Sequence, residues 1–331
     1  MIRIAITVDK KGLKKRRSAA VLSEPTREKL RLSKDKVKKT WRVFKQNRLG
    51  MAGLIILIVF FMMAVFASQI MWILAFIADW EYPYGPFDQV DEEFGGGAPS
   101  SEHWLGTDFR GSDILSRLIY GSRVSLIVGL VATVVSMGLG TIIGLLSGYW
   151  GGLKDEVLMR ITDVFLVLPW LVLMIALAAV LPGGPTVGKV VFVIGITGWS
   201  ATTRMVRAQV LSIKERAFVE RARAIGSSDA HIVARHVFPN VFPIVFANAI
   251  LTIALSILSE STLSFIGLGP DPTKVVTWGN MLEDAVKGGA MYNELYLWIF
   301  APGLCIVFVV LGFTFVGYAL DEIFNPKLRK R

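Results

Sequence analysis

The sequence predicts an all-α integral membrane protein with six transmembrane helices. Of its 331 residues 53% are apolar, and its mean hydropathy is +0.55, which leaves too little polar surface for a soluble globular protein. Apolar stretches that can act as membrane spans recur six times, separated by polar or turn-rich segments. Residues 1–48 contain 17 Lys and Arg against 4 acids, whereas residues 79–120 contain 2 against 9. The net charge of +10 therefore indicates membrane topology rather than binding to nucleic acid.

The chain begins with two basic segments. Residues 1–33 have no core-forming pattern, and we expect them to be a mobile basic cytoplasmic tail. In residues 34–49, Val37, Trp41 and Phe44 recur at helical spacing among lysines and arginines. This pattern predicts an interfacial amphipathic helix on anionic membrane lipid, with a nucleic-acid arm as the alternative. The following apolar run is too late and too long for a cleavable signal peptide.

The remaining boundaries follow from apolar runs and turn residues. Residues 50–78 are the first predicted span, and the acidic residues 79–121, rich in glycine and proline, are the predicted external loop. Residues 122–325 form the predicted core transmembrane domain of helices 2–6, with spans at 122–149, 157–181, 189–203, 239–268 and 295–320. Residues 326–331 are a basic tail. Six spans place both termini on the same side of the membrane, and the basic residues of the tails indicate the cytoplasmic side. We therefore expect a multi-pass protein of the inner or plasma membrane.

One polar segment within the core domain predicts a helix, a turn and a second helix outside the bilayer. It lies in the predicted cytoplasmic loop 204–238 and reads ERAFVERARAIGSSDAHIVARHVFPN over residues 215–240. Phe218, Ala222 and Ile225 have the spacing of a narrow apolar stripe on a helix. Gly226 is suited to end that helix, and Ser227 is the first of three capping residues that follow it. Such an element is suited to binding another protein.

These residues resemble a motif of the permease subunits of type I ABC importers. The resemblance rests on Glu220, Ala222, Gly226 and Pro239, with departures at Arg221, where the family has alanine, and at Phe238, where it usually has leucine. In that family the short helix docks in a groove on the ATPase subunit and transmits its movement. The residues that the resemblance assigns to ATPase coupling are Glu215, Phe218, Glu220, Ala222, Arg223, Gly226, Ser227, Asp229 and Pro239. A solvated amphipathic connector is the alternative.

Two further stretches are similar to the dipeptide, oligopeptide and nickel permeases within that family. They are residues 103–126 and residues 260–269, and the resemblance covers about residues 40–325. Ser112 departs from it, because the family more often has an arginine before the aspartate. The resemblance implies three kinds of partner: a homologous second permease, two ABC ATPase subunits, and a periplasmic or extracellular solute-binding protein. Membrane lipid is the further partner, expected from the apolar spans and the basic interfacial helix.

The resemblance also implies a function. We expect a non-catalytic transport subunit for peptides, with no cofactor or metal in this chain, because ATP and magnesium bind to the partner ATPases. Import of nickel or oligosaccharides is the alternative. An ion-coupled secondary transporter is more remote, because only Glu260 and Asp163 are candidate ionisable residues within the spans and no internal repeat is visible.

Three other sets of residues have competing interpretations. Glu260 lies inside an apolar span and is a possible intramembrane functional residue, although hydrogen bonding to neighbouring helices is the simpler role. His103, Asp108 and Asp113 could bind a metal, but their glycine- and serine-rich context favours a turn that caps the second span. The third set has the spacing of a phosphate-binding loop without its Ser or Thr, so we do not expect nucleotide binding there. It comprises Gly183, Gly188 and Lys189.

Overall fold

The computed structural model describes residues 38–80, 83–89 and 96–324. They form helices joined by loops, with two isolated antiparallel β-bridges, and the chain divides into residues 1–47 and residues 48–331. In the first unit residues 38–44 are helical, and the ring of Trp41 stacks on that of Phe44 at 5.7 Å. The helix lies within the predicted interfacial segment 34–49. The predicted tails 1–33 and 326–331 lie outside the described residues.

The described residues of the second unit are almost entirely helical. Its helices are α1 Arg48–Val65, α2 Ala67–Ala78, α3 Ile114–Trp150, α4 Gly152–Val167, α5 Trp170–Val180, α6 Val187–Thr197, α7 Trp199–Lys214, α8 Ala217–Ala224, α9 Asp229–Ile232, α10 Phe238–Phe265, α11 Trp278–Lys287 and α12 Tyr296–Phe324. A π-helical turn, Val233–Val237, connects α9 to α10.

The prediction of an all-helical membrane protein is confirmed, but three of the six predicted spans are not single long helices. Among the described residues, α1, α3, α12 and the continuous helix Asp229–Phe265 are long and apolar enough to cross a membrane. The pair α4 and α5 is bent by 94° and counts as a fifth span only if the two helices are taken together. The predicted span 189–203 corresponds to the short helix α6, which is followed after Gly198 by α7.

The predicted span 157–181 is broken by Pro169. Leu168 follows α4 in an extended conformation, with φ −70° and ψ 133°, and Pro169 is the N-cap residue of α5. Proline has no N–H to donate, and its ring disfavours helical geometry in the residue before it. The break therefore has a local cause that apolar content alone does not reveal.

The predicted span 50–78 is likewise two helices, α1 and α2, separated at Phe66. Arg123 of α3 contacts the end of α1, where its Nε donates to the carbonyl of Ala64 at 2.6 Å and its guanidinium donates to that of Val65 at 3.2 Å. These bonds satisfy carbonyls at a helix C-terminus, and a positive charge there also complements the helix dipole.

The long helix α3 is the centre of the fold and packs on α1, α6, α7 and α10. It begins at Ile114 rather than at the predicted Ser122, because Asp113 caps it. Its 37 residues extend over about 55 Å, more than the roughly 30 Å of a hydrocarbon core. Gly140, Gly144 and Gly148 face α7 so closely that a Cβ on each would come within 2.6–2.8 Å of an atom of that helix.

The chain does not turn at Pro239, although a proline often ends or kinks a helix. It continues as helix from Asp229 to Phe265 through the π-helical turn, in which the N–H of Phe238 donates to the carbonyl of Val233. Pro239 lies in the first turn of α10. A proline ring clashes with the carbonyl four residues earlier in a regular α-helix, and a wider turn relieves such crowding.

Candidate functional site

The segment between α7 and α10, residues 215–240, is helical on both sides of a glycine turn. We call it the coupling segment. Helix α8 ends at Ala224, two residues before Gly226, whose φ is +82°. The N–H of Gly226 donates to the carbonyl of Arg223 at 3.0 Å, and that of Ser227 donates to the carbonyl of Ala222 at 3.1 Å. These two bonds form a Schellman motif, which needs a left-handed residue at the position of Gly226.

The second helix of the coupling segment begins with a serine cap. Ser228 is extended, and its Oγ accepts from the N–H of His231 at 3.4 Å. The sequence named Ser227 and Asp229 as further candidates for this role. Ser227 closes the Schellman motif instead, and the Asp229 carboxylate accepts a hydrogen bond from the hydroxyl of Tyr149 at 2.7 Å.

One face of the coupling segment is buried against the membrane helices. Val219, Ala222, Ile232 and Val237 are at most 6% exposed. They belong to a single apolar cluster with side chains from the ends of α3, α7 and α10, with Phe218 packed against its edge. The cluster also contains Met137, Tyr149, Val206, Val210, Ile213, Val241 and Val245. Burial of this area attaches the two short helices firmly to three long ones.

The predicted apolar stripe was wrong at one position. Ile225 is 83% exposed, and Val219 occupies the buried face beside Ala222. The helix ends at Ala224, so Ile225 no longer follows the helical direction that would turn it toward the cluster. The coupling segment thus carries an exposed apolar side chain next to an exposed glycine.

The structure separates the predicted coupling residues into three groups. Phe218 and Ala222 contribute to the apolar cluster, and Asp229 contacts α3 through Tyr149. Ser227 is partly buried in the turn. The remaining residues are exposed on the outer face of the coupling segment or at its ends. They are Glu215, Glu220, Arg223, Gly226 and Pro239.

Polar contacts reinforce the attachment of the coupling segment and of α7. Interaction with the Tyr149 hydroxyl raises the pKa of Arg223, an exposed residue of α8. On α7, Arg207 donates two bonds to the carboxylate of Asp155 at 2.6 and 2.7 Å. A bidentate pair of this kind holds α4 and α7 in one orientation.

Asp163 of α4 forms an ion pair with a neighbouring helix. A spacing of one helical turn would allow Arg160 and Asp163 to pair with each other, but Asp163 accepts from Arg204 of α7 at 2.5 Å. Sequence reasoning also missed Tyr149, Arg207 and Asp155, whose partners are 52–80 residues away in the chain. For Val219 a signal was present, because Val219 and Ala222 are three residues apart.

The arrangement can transmit force. The coupling segment presents an exposed outer face, while its inner face is packed against the ends of α3, α7 and α10. A load on the outer face therefore reaches three long helices through close-packed side chains, which deform little.

Glu260 lies near the C-terminal end of α10, away from the coupling segment. It is fully buried and accepts from Ser264 at 2.8 Å and, more weakly, from Ser125 and Ser261 at 3.4 Å each. Ser125 also accepts from the backbone N–H of Trp278 at 3.1 Å. Glu260 thus connects α10 to α3 and to the start of α11, as expected for a residue that hydrogen-bonds to neighbouring helices.

The residues considered as metal ligands near the start of α3 form hydrogen bonds within the protein. Asp113 caps α3 by accepting from the N–H of Ser116 at 2.7 Å and contacts His103 at 3.1 Å. Burial raises the pKa of Asp113. Asp108 accepts from the N–H of Ser112 at 2.9 Å, so the interpretation as a capping turn is confirmed. In the described part of the chain no three His, Cys, Asp or Glu side chains are grouped to hold a metal ion.

Ion pairs between buried side chains connect this turn to α11. Arg117 of α3 is 2% exposed and binds both Asp108 and Asp284, the latter at 2.9 Å. Asp284 also accepts from Arg110 at 3.2 Å. Opposite charges at close range compensate for the loss of hydration, and each buried carboxylate has a guanidinium partner.

Comparisons with known proteins agree with this architecture. Residues 140–330 match the family described as binding-protein-dependent transport system inner membrane component, and residues 37–95 match the N-terminal transmembrane domain of oligopeptide transport permease C. A solved chain of the MetNI methionine ABC transporter is similar to 64% of this chain and 97% of its own, with TM-score 0.50 and 16% identity. That likeness supports the fold.

Curated relatives match most of the chain. The oligopeptide transport system permease protein of Bacillus subtilis is 34% identical over 87% of this chain and 88% of its own length. The dipeptide transport system permease protein of the same organism is 34% identical over 88% of this chain and 85% of its own. The glutathione transport system permease protein of Pectobacterium atrosepticum is 34% identical over 87% of this chain and 90% of its own length. The chain therefore belongs to the family of binding-protein-dependent transport system inner membrane components.

Proposed function

We propose that this chain is one of two permease subunits of an ATP-driven importer of peptides. The observation that carries the proposal is the coupling segment, an exposed helix–turn–helix whose inner face is packed on α3, α7 and α10. Family membership supports an assembly with ATPases, a second permease and a solute-binding protein. The names of the oligopeptide, dipeptide and glutathione permeases support peptides as the substrate.

In this proposal the ATPase subunits bind the outer face of the coupling segment. The chain contributes no ATP site, and magnesium and ATP bind to the partners. Ile225 supplies an apolar contact, while Gly226 keeps the turn narrow beside it. Movement of the ATPases then displaces α3, α7 and α10 together, and solute released by the binding protein passes between the two permeases. Binding of ATP and its hydrolysis alternate the two access states.

The proposed orientation follows from charge. Residues 204–238 contain 7 Lys and Arg against 3 acids, and the tails 1–33 and 326–331 are also basic, whereas residues 79–121 are acidic. The positive-inside rule therefore places the coupling segment and both termini in the cytoplasm, where the ATPases have access to ATP.

Uptake by the reconstituted complex tests this function. The tagged chain is purified from its native membrane with its partners and placed in proteoliposomes, and uptake of a radiolabelled tripeptide is measured with the loaded binding protein. We expect uptake that requires ATP and is unchanged by collapse of ion gradients. Uptake that continues without ATP and stops with the gradient would identify an ion-coupled transporter. Competition by nickel or an oligosaccharide, but not by peptides, would assign a different substrate.

A substitution on the coupling segment tests the contact with the ATPases. Ile225→Asp places a charge in the proposed apolar contact, so we expect ATPase subunits to be lost from the purified complex. The matched control is Tyr292→Asp, which introduces the same charge at a side chain 90% exposed in the loop after α11. The control should retain the ATPases. Normal ATPase content in both variants would contradict the proposed docking surface.

A further inference from the structure

The break between α4 and α5 opens a cavity of about 500 Å³ that neither the coupling segment nor Glu260 touches. Its described lining contains aromatic rings and neutral hydrogen-bonding side chains but no charged residue. The neutral polar side chains are Ser136, Thr197, Ser200, Thr202, Asn248, Thr252 and Ser256. They come from α3, α6, α7 and α10, so the cavity lies among helices that the fold brings together.

The hydroxyl of Ser136 is the unexplained group in this cavity. Ser136 is 1% exposed, and its Oγ has no hydrogen-bond partner among the described residues. It faces Gly198, where an added Cβ would lie 2.9 Å from the Oγ. An unpaired hydroxyl inside a protein is unfavourable unless a ligand or water bonds to it. The absence of a side chain at Gly198 keeps the space beside the hydroxyl open.

Among the described residues, two other donors in the cavity have only a weak acceptor. Thr202 Oγ1 and Asn248 Nδ2 are directed at the thioether sulfur of Met137, at 3.1 and 3.6 Å. A thioether accepts hydrogen bonds poorly compared with a carbonyl oxygen. Both donors can therefore exchange this contact for a stronger one when a carbonyl enters the cavity.

The helix break adds backbone donors. The first N–H groups of a helix have no partner within it, and Pro169 provides no side-chain cap for α5. In a membrane such free backbone is tolerated where it lines a polar cavity. The lining includes both Pro169 and Trp170, so the free N-terminus of α5 borders the cavity.

We propose that this cavity is a binding site for the uncharged main chain of the transported peptide, with Ser136, Thr202 and Asn248 donating to its carbonyl oxygens. The proposal rests on peptide import as the proposed function. A lining without charge offers no counter-ion to the peptide termini, so the site recognises the amide groups common to peptides of different sequence. The surrounding aromatic and aliphatic side chains accommodate varied residues without selecting one.

Comparing two substrates in the wild type and in cavity variants separates the effect of this cavity on uptake from the preference of the binding protein. Two substrates are compared: trialanine and its thioxo analogue, in which sulfur replaces one carbonyl oxygen. We measure the initial rate of uptake of each by the wild-type complex and by the Ser136→Ala and Asn248→Leu variants. The loaded binding protein is present at a saturating concentration. The same binding protein serves every complex. Its own preference for one of the two peptides therefore cancels when the oxo-to-thioxo uptake ratio of a variant is divided by that of the wild type. We expect each variant to lower the oxo-to-thioxo ratio by about three-fold or more, the loss typical of one hydrogen bond.

The stability of Ser136→Ala distinguishes a ligand contact from a structural role. Removing an unpartnered buried hydroxyl should leave the midpoint of thermal unfolding unchanged or raise it, although the uptake ratio falls. The matched control is Thr314→Val on α12, whose hydroxyl donates only to the carbonyl of Val310 at 2.7 Å. It should keep the wild-type ratio. An unchanged ratio in both cavity variants would overturn the proposal.

Photo-crosslinking provides a readout that does not depend on transport. An N-acetylated tripeptide amide that carries a benzophenone is irradiated with the purified complex, and the attachment sites are mapped by mass spectrometry. We expect attachment within residues 165–170 or 197–202, and loss of it in Asn248→Leu. If the peptide attaches at the cavity but is not taken up, the cavity is a peptide-binding site, and peptides are rejected as the transported substrate. Uptake without attachment there would reject the site alone.

Discussion

Gly226 determines where α8 ends, and its backbone conformation has a measurable consequence. At φ +82° a β-branched side chain is strained, whereas asparagine tolerates the left-handed region. An added Cβ would meet no atom within 4 Å in this chain, so strain is separable from crowding. We predict that Gly226→Val destabilises the protein by about 1–2 kcal/mol and that Gly226→Asn destabilises it much less. Chemical unfolding of the purified chain measures both.

The same pair of variants tests the role of the turn. We expect Gly226→Val to abolish ATP-driven uptake and Gly226→Asn to retain most of it, because asparagine preserves the Schellman geometry. If both variants lose uptake while Gly226→Asn has normal stability, the ATPase subunit requires a residue without a side chain at this position. Full uptake in Gly226→Val would contradict the proposed role of the coupling segment.

Asp113 gives a prediction about pH. Burial raises the pKa of its carboxyl, so the folded state binds this proton more tightly than the unfolded state. Its contribution to stability therefore falls as pH rises from the ordinary aspartate pKa through the raised one. Asp113→Asn keeps a capping side chain without the ionisation. We expect the difference in unfolding midpoint between wild type and Asp113→Asn to change across that pH window.

Asp113→Ala is the corresponding control for the cap. It removes the acceptor for the N–H of Ser116 and should destabilise the protein by about 1 kcal/mol relative to Asp113→Asn. A pH dependence of Asp113→Asn identical to that of the wild type would show that another group titrates.

At the scale of helices, the glycine face of α3 sets its distance from α7. A Cβ on Gly144 would lie 2.7 Å from the Cβ of Val206, whereas one on Gly138, in the same helix, would meet nothing within 4 Å. We predict that Gly144→Ala destabilises the protein by about 1–3 kcal/mol because the helices must separate. Gly138→Ala should be neutral or slightly stabilising, since alanine favours helix. Equal unfolding midpoints for the two variants would contradict this packing.

How far elements are predictable from sequence depends on whether their causes are local. The end of α8 at Gly226 and the cap at Ser228 depend on neighbouring residues, and both follow from residue type. The break at Pro169 also has a local signal, but the apolar content of residues 157–181 outweighed it in the sequence-based prediction. The continuation of helix through Pro239 requires a π-helical turn, which no simple periodicity indicates.

The candidate sites were less predictable because their contacts are distant in sequence. Whether Val219 or Ile225 is buried depends on side chains of α3 and α7, and the partner of Asp163 is 41 residues away. The cavity beside Pro169 combines residues of α3, α6, α7 and α10. Residue types alone identified the coupling segment, but the packing of separate helices determined which of its side chains are exposed.

At the scale of the whole molecule, charge and span order make a joint prediction about topology. One long helix, α10, separates Ile225 from Tyr292, so the two residues should lie on opposite sides of the membrane. Residues 204–238 contain 7 Lys and Arg against 3 acids, and residues 266–295 contain 2 against 4, so the positive-inside rule predicts that Ile225 lies in the cytoplasm. Both side chains are well exposed, at 83% and 90%.

Cysteine labelling measures this topology in intact cells. Ile225→Cys and Tyr292→Cys are made separately on a Cys305→Ser background, because Cys305 is the one cysteine in the sequence. A membrane-impermeant maleimide should label Tyr292→Cys in intact cells and Ile225→Cys only after permeabilisation, with Cys305→Ser alone as the unlabelled control. Labelling of Ile225→Cys from outside would place the coupling segment beyond the reach of cytoplasmic ATPases. Because the proposed function requires that contact, this result would reject it even if the fold were correct.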